Sequence, residues 1–444
     1  MKKILVLGAG LSTYSLIDYL LVNAAEYDWH ITVADINEEM ARAKVNGHKY
    51  GSAKIFDIND DTESWRTIAE ADVVISMLPA SMHHIVAEMC IDLRKPMLTA
   101  SYATDEIKAL SDKAEKAGIP IYMELGLDPG IDHMSAMDVI NRVKGFGGEL
   151  QSFYSFTGGL VAPEYDNNPW NYKFTWNPRN VVLAGNGVSQ FIRNGRYKYI
   201  PYHRLFDRVM SRKILQYGDF EVYANRDSLK YRSIYNLKDI PSMYRGTIRR
   251  PGFSKAWNVF VRLGMTEDTY TLEDSENMTY RQFLNTFLRY EPDVPAEIKL
   301  QEYCKNATDP VVLNKLIWLG IFDDKKINLK NATPAQILQK LLVEKWSMEP
   351  EDKDMIIMQH EFKYLFEGVE KMIVSAMAVI GKNQTETAMA MTVGYPLGIA
   401  TKLLLTGKIS HTGVRLPIEK EIYEPILSEL RTFGIGFEEK EYLI

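Results

Sequence analysis

The stretch at residues 123–134, MELGLDPGIDHM, brings two aspartates and a histidine together with glycines and a proline. It follows an apolar run that is typical of a buried strand. Ligands of open α/β sheets bind beyond the carboxyl ends of the strands, so chemistry is expected in such a loop. Gly126 and Gly130 let the backbone approach a ligand closely, and Asp128 can present a carboxylate to a reacting amine or water. The alternative interpretation is an interdomain linker in which Asp132 caps the next helix.

A glycine-containing loop near the start of the chain indicates a second ligand site. An apolar run at residues 4–7 leads directly into Gly8, Ala9 and Gly10. In a dinucleotide-binding loop, the first glycine makes a tight turn and the second lets the pyrophosphate approach the helix N-terminus. The third glycine of the usual motif is absent, and Thr13 stands in its place. The loop predicts a dinucleotide site, although the same residues could simply join a strand to a helix.

Both loops belong to a series of short apolar runs that alternate with helical patterns over the first 125 residues. Such alternation indicates a parallel sheet built from βαβ units, and continuous apolar strands are typical of a sheet covered on both faces. The predicted fold class is therefore α/β with an N-terminal parallel sheet. The predicted strands are at residues 4–7, 31–34, 54–56, 73–77, 97–100 and 119–123.

The remainder of the chain has a different pattern. Residues 148–250 are rich in aromatics, turn residues and short β-like runs, and residues 255–346 are mostly helical. Strand-like runs return at 354–366 and 370–379, before a final helical segment at 389–407. No apolar run approaches the ~18 residues needed to span a bilayer, so no membrane association is expected.

Composition narrows the classes of protein. The net charge of −6 makes a general nucleic-acid-binding surface unexpected. Cys90 and Cys304 are the only cysteines and lie far apart, which argues against a disulfide framework and a structural zinc site. No set of histidine, cysteine and carboxylate residues has metal-ligand spacing, so no metal is predicted. A reducing cytoplasm is the simplest setting.

Several longer stretches of the chain are distinctive. They are TASYAT (99–104), ELGLDPGIDH (124–133), GGLVAPEYDNNPWNYKFTW (158–176), ANRDSLKY (224–231), RGTIRR (245–250), WLGIF (318–322) and ISHTGVRLP (409–417). These stretches resemble the saccharopine reductases, the glutamate-forming saccharopine dehydrogenases. The resemblance covers nearly the whole chain, and the chain is similar to the fungal enzyme and to the dehydrogenase domain of animal aminoadipic semialdehyde synthase.

The resemblance implies a reaction and a domain organisation. Saccharopine would be interconverted with L-glutamate and 2-aminoadipate 6-semialdehyde by hydride transfer at a C–N bond, with a nicotinamide cofactor. A Rossmann-type domain is expected at residues 1–128, and a segment at about 385–444 returns toward it. A mixed α/β substrate and dimerisation domain is expected at 129–254 and about 350–384, with a helical third domain at 255–349. The family also implies a homodimer.

The same resemblance implies the residues that act on the substrate. The predicted substrate-binding residues are Ser101, Tyr102, Trp176, Arg226, Thr247 and Arg249. Without the resemblance, the arginines would be interpreted as surface charges and the tryptophan as a core residue. Asp128 and Tyr102 are the predicted catalytic residues. Related enzymes have a cysteine where this chain has Thr157, and a threonine hydroxyl does not titrate in the useful range.

Three histidines near these positions are interpreted as structural. His83 and His84 are read as ordinary core or surface residues, and no function is assigned to either. His133 stands early in a helix beside Asp132, where a histidine is more often a structural hydrogen-bond donor than a general base.

The predicted cofactor contacts follow the carboxyl ends of the strands. They are Gly8, Gly10, Leu11, Ser12, Asp35, Asp57, Leu78, Gly126, Leu127 and Asp128. Asp57 is as easily interpreted as a helix cap. Asp35 predicts NAD, because its carboxylate can accept hydrogen bonds from the ribose hydroxyls and would repel the extra phosphate of NADP. NADP stays open, since the fungal enzyme uses NADP whereas the animal domain accepts NAD.

Two other functions are open on the sequence alone. A related imine reductase, such as carboxynorspermidine dehydrogenase, also condenses an amine with a semialdehyde, but a polyamine would need acidic residues where Arg226 and Arg249 stand. A non-catalytic dinucleotide-binding protein could share the fold, but it would not need Ser101, Tyr102 and Asp128 together. The expected partner is a small-molecule substrate, saccharopine or glutamate plus the semialdehyde.

Overall fold

The alternating pattern of the first 125 residues folds into the parallel sheet that it predicts. The structure, a computed structural model, describes residues 1–444. In chain order the strands are β1 (Lys2–Leu7), β2 (Trp29–Asp35), β3 (Gly51–Ile55), β4 (Val73–Ser76), β5 (Met97–Leu98), β6 (Pro120–Tyr122), β7 (Glu149–Val161), β8 (Val188–Arg193), β9 (Arg196–Pro201), β10 (Met210–Lys213), β11 (Asp219–Ala224), β12 (Ser242–Arg249), β13 (Asp354–Phe366), β14 (Val369–Ile380), β15 (Gly413–Arg415) and β16 (Glu438–Leu443).

Helices connect these strands and also form a long segment between β12 and β13. They are α1 (Tyr14–Tyr27), α2 (Glu38–Val45), α3 (Asp61–Ala69), α4 (His83–Asp92), α5 (Asp105–Ala109), α6 (Ser111–Ala117), α7 (Ile131–Gly145), α8 (Pro178–Val182), α9 (Tyr202–Leu205), α10 (Tyr231–Ile234), α11 (Phe253–Leu263), α12 (Tyr280–Thr286), α13 (Ala296–Tyr303), α14 (Pro310–Leu319), α15 (Pro334–Trp346), α16 (Ala388–Leu405) and α17 (Lys420–Thr432).

The first of two units contains Met1–Glu149 and Met377–Glu438. Its seven-stranded sheet has the order β15-β6-β5-β4-β1-β2-β3, and β1 pairs in parallel with both β2 and β4. All residues of β4 are buried, as expected of an apolar strand covered on both faces. The strand order reverses between β1 and β4, and this switch point is where sheets of this class bind dinucleotides.

Helix α16 belongs to the first unit and packs against α1 through two glycines. A Cβ on Gly394 would lie 2.5 Å from the backbone nitrogen of Leu16, and one on Gly398 would lie 2.6 Å from the Tyr19 ring. Contrary to the expectation from the sequence, this helix of 18 residues is long and apolar enough to cross a membrane by length and composition. Since 72% of it is buried, it has the environment of a core helix.

The second unit contains Leu150–Ala376 and Glu439–Ile444. Its main sheet has the order β10-β11-β12-β7-β13-β14-β16, and β8 and β9 join it through β12. Strand β12 pairs in parallel with β7 and antiparallel with β11, so it holds two distant parts of the chain side by side. Aromatic side chains fill the core, and the Trp170 ring lies 5.8 Å from Phe253 and 5.2 Å from Trp346 between ring centres.

These units differ from the predicted boundaries. Residues 377–384, assigned from the sequence to the second domain, lie in the first unit, and residues 439–444, predicted to return toward the first domain, lie in the second unit. Helix α7, assigned from the sequence to the second domain, lies in the first unit. The helical segment at 255–349, predicted as a domain of its own, lies in the second unit. The physical reason is a shared core, because Trp170 stacks on Phe260 of α11 and contacts Trp346 of α15.

Candidate active site

The loop between β1 and α1 has the conformation of a phosphate-binding turn. Gly8 has a φ of +101°, and a Cβ there would lie 2.8 Å from the Met77 carbonyl oxygen, so the turn needs glycine. Gly10 precedes a 3₁₀ turn at Leu11–Thr13 that leads into α1, and no side chain caps this end. A Cβ on Gly10 would meet no atom within 4 Å. The open loop and its backbone N–H groups fit the pyrophosphate of a dinucleotide.

Asp35 lies beside this loop, as predicted for a ribose ligand. Its Oδ2 accepts a hydrogen bond from the Ala9 backbone N–H at 2.7 Å, and its Oδ1 accepts one from the Asn37 N–H at 2.8 Å. These bonds fix the carboxylate, and each oxygen retains a lone pair for a ribose hydroxyl. The next helix, α2, begins with Glu38 and Glu39, so the residues after β2 are negatively charged.

The two cationic side chains that follow Asp35 in the sequence, those of Arg42 and Lys44, have other contacts. Arg42 pairs with Glu38 at 2.6 Å on the exposed side of α2. The Lys44 ammonium lies 5.6 Å from the ring centre of Tyr14, and burial lowers the pKa of this lysine. Neither contact supplies a positive charge to the Asp35 carboxylate.

The other predicted cofactor contacts in the first unit have different environments. Leu11 is 74% exposed, and Ser12 is half-buried in the same turn. Leu78 follows β4, and its backbone nitrogen lies against the first glycine of the loop. Asp57 is exposed, and its Oδ1 accepts hydrogen bonds from the backbone and the side chain of Asn59, each at 2.9 Å. Its carboxylate thus organises a turn, and a contact with the cofactor stays a prediction.

The loop after β6 is shaped by close backbone packing. Gly130 has a φ of +146°, and a Cβ there would lie 2.0 Å from the Gly126 carbonyl oxygen. The Gly130 N–H donates to Asp132 Oδ1 at 2.6 Å, which holds the loop against the start of α7. Leu127 is buried, whereas Asp128 is half-exposed. The loop therefore presents one carboxylate from an otherwise buried backbone.

The two predicted catalytic residues, Tyr102 and Asp128, are in contact. The Tyr102 hydroxyl donates a hydrogen bond to Asp128 Oδ1 at 2.8 Å, and both side chains are half-exposed. A phenol and a carboxylate joined in this way can exchange a proton with a bound amine or water.

Glu124 holds the segment that carries Ser101 and Tyr102. The Glu124 backbone N–H donates to the Ser101 carbonyl at 3.0 Å, and Oε1 accepts from the Ala103 N–H at 3.0 Å. His133 Nε2 lies 2.6 Å from Glu124 Oε2, and both side chains are buried. These contacts agree with a structural role for His133, and they show how Glu124, which the sequence did not single out, positions Tyr102.

His83 is a second residue that sequence reasoning missed. It is 1% exposed at the start of α4, with Nδ1 2.9 Å from Ser76 Oγ and Nε2 2.7 Å from Ser101 Oγ. Burial lowers the pKa of His83 to about 4. A signal was present in the sequence, because His83 follows a predicted strand at the sheet edge where Ser101 was already expected.

In the second unit, two of the predicted residues, Thr247 and Arg249, lie on β12. Thr247 of β12 is paired with Thr157 of β7 on one side and with Tyr223 of β11 on the other. Arg249 is two residues further along β12, so its side chain is on the same face as that of Thr247. Thr157 is buried, and its hydroxyl has no hydrogen-bond partner.

Arg249 is a buried cation surrounded by aromatic rings. It is 4% exposed, and its guanidinium carbon lies 5.1 Å, 5.3 Å and 5.8 Å from the ring centres of Tyr172, Phe253 and Tyr223. One guanidinium nitrogen donates to the Ile248 carbonyl at 2.9 Å, whereas Nε has no partner and no carboxylate forms an ion pair with it. Burying a charge without a counter-ion is costly, so this site favours an added anion.

The other two predicted substrate-binding residues of this unit, Arg226 and Trp176, are more accessible to solvent than Arg249. Arg226 is exposed just after β11, with a φ of +40°, and its backbone carbonyl accepts a hydrogen bond from the Gln190 N–H at 2.8 Å. Its side chain forms no ion pair, so a surface charge and a carboxylate ligand are both consistent with its position. Trp176 is half-buried before α8, neither fully in the core nor fully exposed.

A dinucleotide loop at the switch point of a parallel sheet places the chain among the α/β proteins that bind nicotinamide dinucleotides. The phenol and carboxylate of Tyr102 and Asp128 are hydrogen-bonded at the same sheet edge, and an oxidoreductase of that class needs a group that can exchange protons. Two family models then match nearly the whole chain: "Saccharopine dehydrogenase NADP binding domain" at residues 4–121 and "Saccharopine dehydrogenase C-terminal domain" at residues 126–435. The chain belongs to the saccharopine dehydrogenase family.

Individual relatives agree with this assignment. The chain is 34% identical to the saccharopine dehydrogenase [NADP(+), L-glutamate-forming] of Saccharomyces cerevisiae, over 99% of each chain. It is 34% identical to the mitochondrial alpha-aminoadipic semialdehyde synthase of Rattus norvegicus, over 98% of this chain and 47% of that protein. The solved structure of the apo saccharopine dehydrogenase (L-Glu forming) from S. cerevisiae covers 100% of both chains at 31% identity, with a TM-score of 0.90.

Proposed function

We propose that this chain interconverts saccharopine with L-glutamate and 2-aminoadipate 6-semialdehyde, using a nicotinamide dinucleotide. A full-length relative carries the name of a saccharopine dehydrogenase that forms L-glutamate. The structural observation that carries the proposal is Arg249, a buried guanidinium with no carboxylate partner within its own chain. Saccharopine has three carboxylates, and a charge-assisted hydrogen bond to one of them would satisfy Arg249.

The candidate substrate ligands, taken within each unit separately, are of three chemical kinds. Arg249 and Thr247, on one face of β12, bind a carboxylate through charge and a hydroxyl. Arg226 adds a second, solvent-exposed positive charge. Ser101 supplies a neutral hydroxyl, and Trp176 an apolar surface with one N–H donor.

The chemistry needs one hydride acceptor and one group that moves protons. The bound dinucleotide supplies the hydride acceptor. Loss of a hydride and a proton from the secondary amine gives an imine, and addition of water then breaks the C–N bond to release glutamate and the semialdehyde. Asp128, hydrogen-bonded to Tyr102, is the group we assign to accept and return these protons. Thr157 cannot replace it, because its hydroxyl does not titrate in the useful range.

We further propose that the cofactor is NAD, although the family model and the yeast relative are named for NADP. Asp35 stands at the ribose position, fixed by two backbone N–H groups, and Glu38 and Glu39 follow it. A 2′-phosphate would meet this negative charge at close range beside a partly buried carboxylate, whereas ribose hydroxyls can donate to the carboxylate.

Purified protein with saccharopine and either NAD⁺ or NADP⁺ tests both proposals. We expect reduced nicotinamide to form together with glutamate and the semialdehyde, identified by mass spectrometry, and kcat/KM to be higher with NAD⁺. Formation of lysine and 2-oxoglutarate, or no reaction with either cofactor, would contradict the proposed activity. A kcat/KM for NADP⁺ equal to or above that for NAD⁺ would contradict only the cofactor preference.

The assembly and the compartment are also proposals. A homodimer is supported by the family, and static light scattering at micromolar concentration should give twice the chain mass of 50.9 kDa. A monomer at that mass would contradict it. A reducing compartment such as the cytoplasm is supported by two cysteines, Cys90 and Cys304, that are both buried and free.

A further inference from the structure

His83 bridges the ends of two neighbouring strands of the first unit. Ser76 is the last residue of β4, and Ser101 follows β5, which pairs in parallel with β4. The imidazole Nδ1 lies 2.9 Å from Ser76 Oγ, and Nε2 lies 2.7 Å from Ser101 Oγ. The three side chains therefore form one continuous hydrogen-bonded series, here called the Ser76–His83–Ser101 relay.

The imidazole of this relay is neutral at physiological pH. The His83 side chain is 1% exposed, and burial lowers its pKa to about 4. His83 is also the first residue of α4, and the positive end of a helix dipole disfavours an imidazolium. A neutral ring carries one N–H and one lone pair, so one serine must donate to the ring and the other must accept from it.

The direction of the relay decides what Ser101 can offer to a ligand. If Ser76 donates to Nδ1, then Nε2–H donates to Ser101 Oγ, and the Ser101 proton points to a ligand. In the opposite direction, the Ser101 hydroxyl donates its proton to Nε2, so only the lone pairs of its oxygen face a ligand. A carboxylate accepts hydrogen bonds, so it is compatible with the first direction alone.

The accessibility of the two serines fits the direction in which Ser76 donates to the ring and Ser101 donates to a ligand. Ser76 is completely buried, whereas Ser101 is half-exposed. The Ser101 backbone is already fixed, because its carbonyl accepts from the Glu124 N–H at 3.0 Å and its N–H donates to Thr99 Oγ1 at 3.3 Å. The orientation of its hydroxyl is the remaining freedom, and His83 controls it.

We propose that His83 is a positioning residue for the substrate: as the Nε2–H tautomer, it directs the Ser101 hydroxyl proton toward a substrate carboxylate. This inference rests on the proposed function, since it takes Ser101 as a substrate contact. It goes beyond that function by giving a role to an almost completely buried histidine that the proposed function leaves without one.

The tautomer can be measured without any activity. Full-length protein with ¹⁵N-labelled histidine, examined by long-range ¹H–¹⁵N NMR at neutral pH, should show a neutral His83 ring protonated on Nε2. His83→Gln assigns the signal, and Ser101→Ala should shift the Nε2 resonance. A ring protonated on Nδ1, or on both nitrogens, would overturn the proposal.

Saccharopine kinetics test the consequence. His83→Ala and Ser101→Ala should each raise KM for saccharopine by about 3- to 15-fold, the value of one hydrogen bond, with little change in kcat. The double variant should be no worse than either single variant, because both remove the same contact. His83→Gln, whose amide N–H can still donate to Ser101, should recover most of the loss. The exposed neighbour provides the control, since His84→Ala should behave as wild type.

The outcomes separate this inference from the proposed function. Independent, multiplying effects of His83→Ala and Ser101→Ala on KM would overturn the inference while leaving the activity intact. A wild-type protein that does not oxidise saccharopine would overturn the proposed function, and the tautomer measurement would still decide the direction of the relay. Dinucleotide binding by fluorescence and the thermal unfolding midpoint show whether each variant is folded. If His83→Ala does not fold, His83→Gln and Ser101→Ala carry the comparison.

Discussion

The predicted site residues of the two units differ in whether their polar side-chain atoms find hydrogen-bond partners within the chain. In the first unit, Asp35, Ser101 and Tyr102 all form hydrogen bonds with other residues of that unit. In the second unit, the Nε of Arg249 and the hydroxyl of Thr157 are buried without a partner. The first set is oriented before any ligand binds, as proton and hydride chemistry requires. The second set has buried polar atoms whose missing hydrogen-bond partners a ligand can supply, as binding of a charged substrate requires.

The largest effect should come from the first unit. Asp128→Asn keeps the shape of the side chain but removes the group that exchanges protons, so we expect kcat to fall by ~10²- to 10⁴-fold while the dinucleotide still binds. Steady-state and single-turnover kinetics with saccharopine measure this loss. Asp112→Asn is the matched control, because it changes an exposed carboxylate of the same unit that is assigned to no site, and it should leave kcat unchanged. A loss below about fivefold for Asp128→Asn would reduce Asp128 to a positioning role.

Substitutions of site residues in the second unit should weaken substrate binding and leave kcat largely unchanged. Removing the unpaired buried cation with Arg249→Ala should lower kcat/KM for saccharopine by roughly 10- to 150-fold, the value of a charge-assisted contact, mainly through KM. Arg226 is exposed, and solvent weakens an exposed ion pair, so Arg226→Ala should cost less than about fivefold. Arg250→Ala is the control, since Arg250 donates to the Tyr217 carbonyl at 2.8 Å. A larger loss for Arg226→Ala than for Arg249→Ala would invert the comparison.

The same contrast explains which features the sequence could predict. Five strands of the first sheet, β1, β2, β4, β5 and β6, were predicted because each contains an apolar run between helical patterns, a local signal. β3 was located only in part, at residues 54–56, because its sequence GSAKI is not a continuous apolar run. β15 escaped prediction, because three residues carry no periodic pattern. The pairing of Thr247 with Thr157 could not be derived either, since residues so far apart in sequence meet only through strand register.

The site shows the same limit. The Gly8 turn and Asp35 were predictable because their spacing follows from one strand–turn–helix unit. The contact between His83 and Ser101 joins two such units and depends on which strands become neighbours. The aromatic surroundings of Arg249 depend on side chains from β11, α11 and the loop before α8. Local motifs therefore predicted the candidate residues, whereas the partners of each group required the folded chain.

Cofactor preference tests whether the first unit is as pre-oriented as its hydrogen bonds suggest. Asp35→Ala removes the negative charge that we propose to face the ribose. We therefore expect the ratio of kcat/KM for NAD to that for NADP to fall by on the order of tenfold, because NAD binds more weakly and NADP is repelled less. Competition fluorescence with the two reduced cofactors gives the same ratio without substrate. Asp61→Ala, at the start of α3, is a control of equal charge that should leave the ratio unchanged. An unchanged ratio for Asp35→Ala would show that other residues select the cofactor.

The smallest effect concerns the unpaired hydroxyl of the second unit. Thr157→Val keeps the size of the side chain and removes a buried hydroxyl that has no partner in the chain. If the substrate forms a hydrogen bond with the Thr157 hydroxyl, KM for saccharopine should rise by about 2- to 10-fold in the variant, the value of one neutral hydrogen bond. The thermal unfolding midpoint should not fall. Tyr280→Phe removes another buried hydroxyl without a partner, on α12, and should change neither KM nor kcat. Unchanged kinetics for Thr157→Val would mean that its hydroxyl is simply left unsatisfied by the fold, and the role of the second unit in substrate binding would then depend on Arg249 and its neighbours alone.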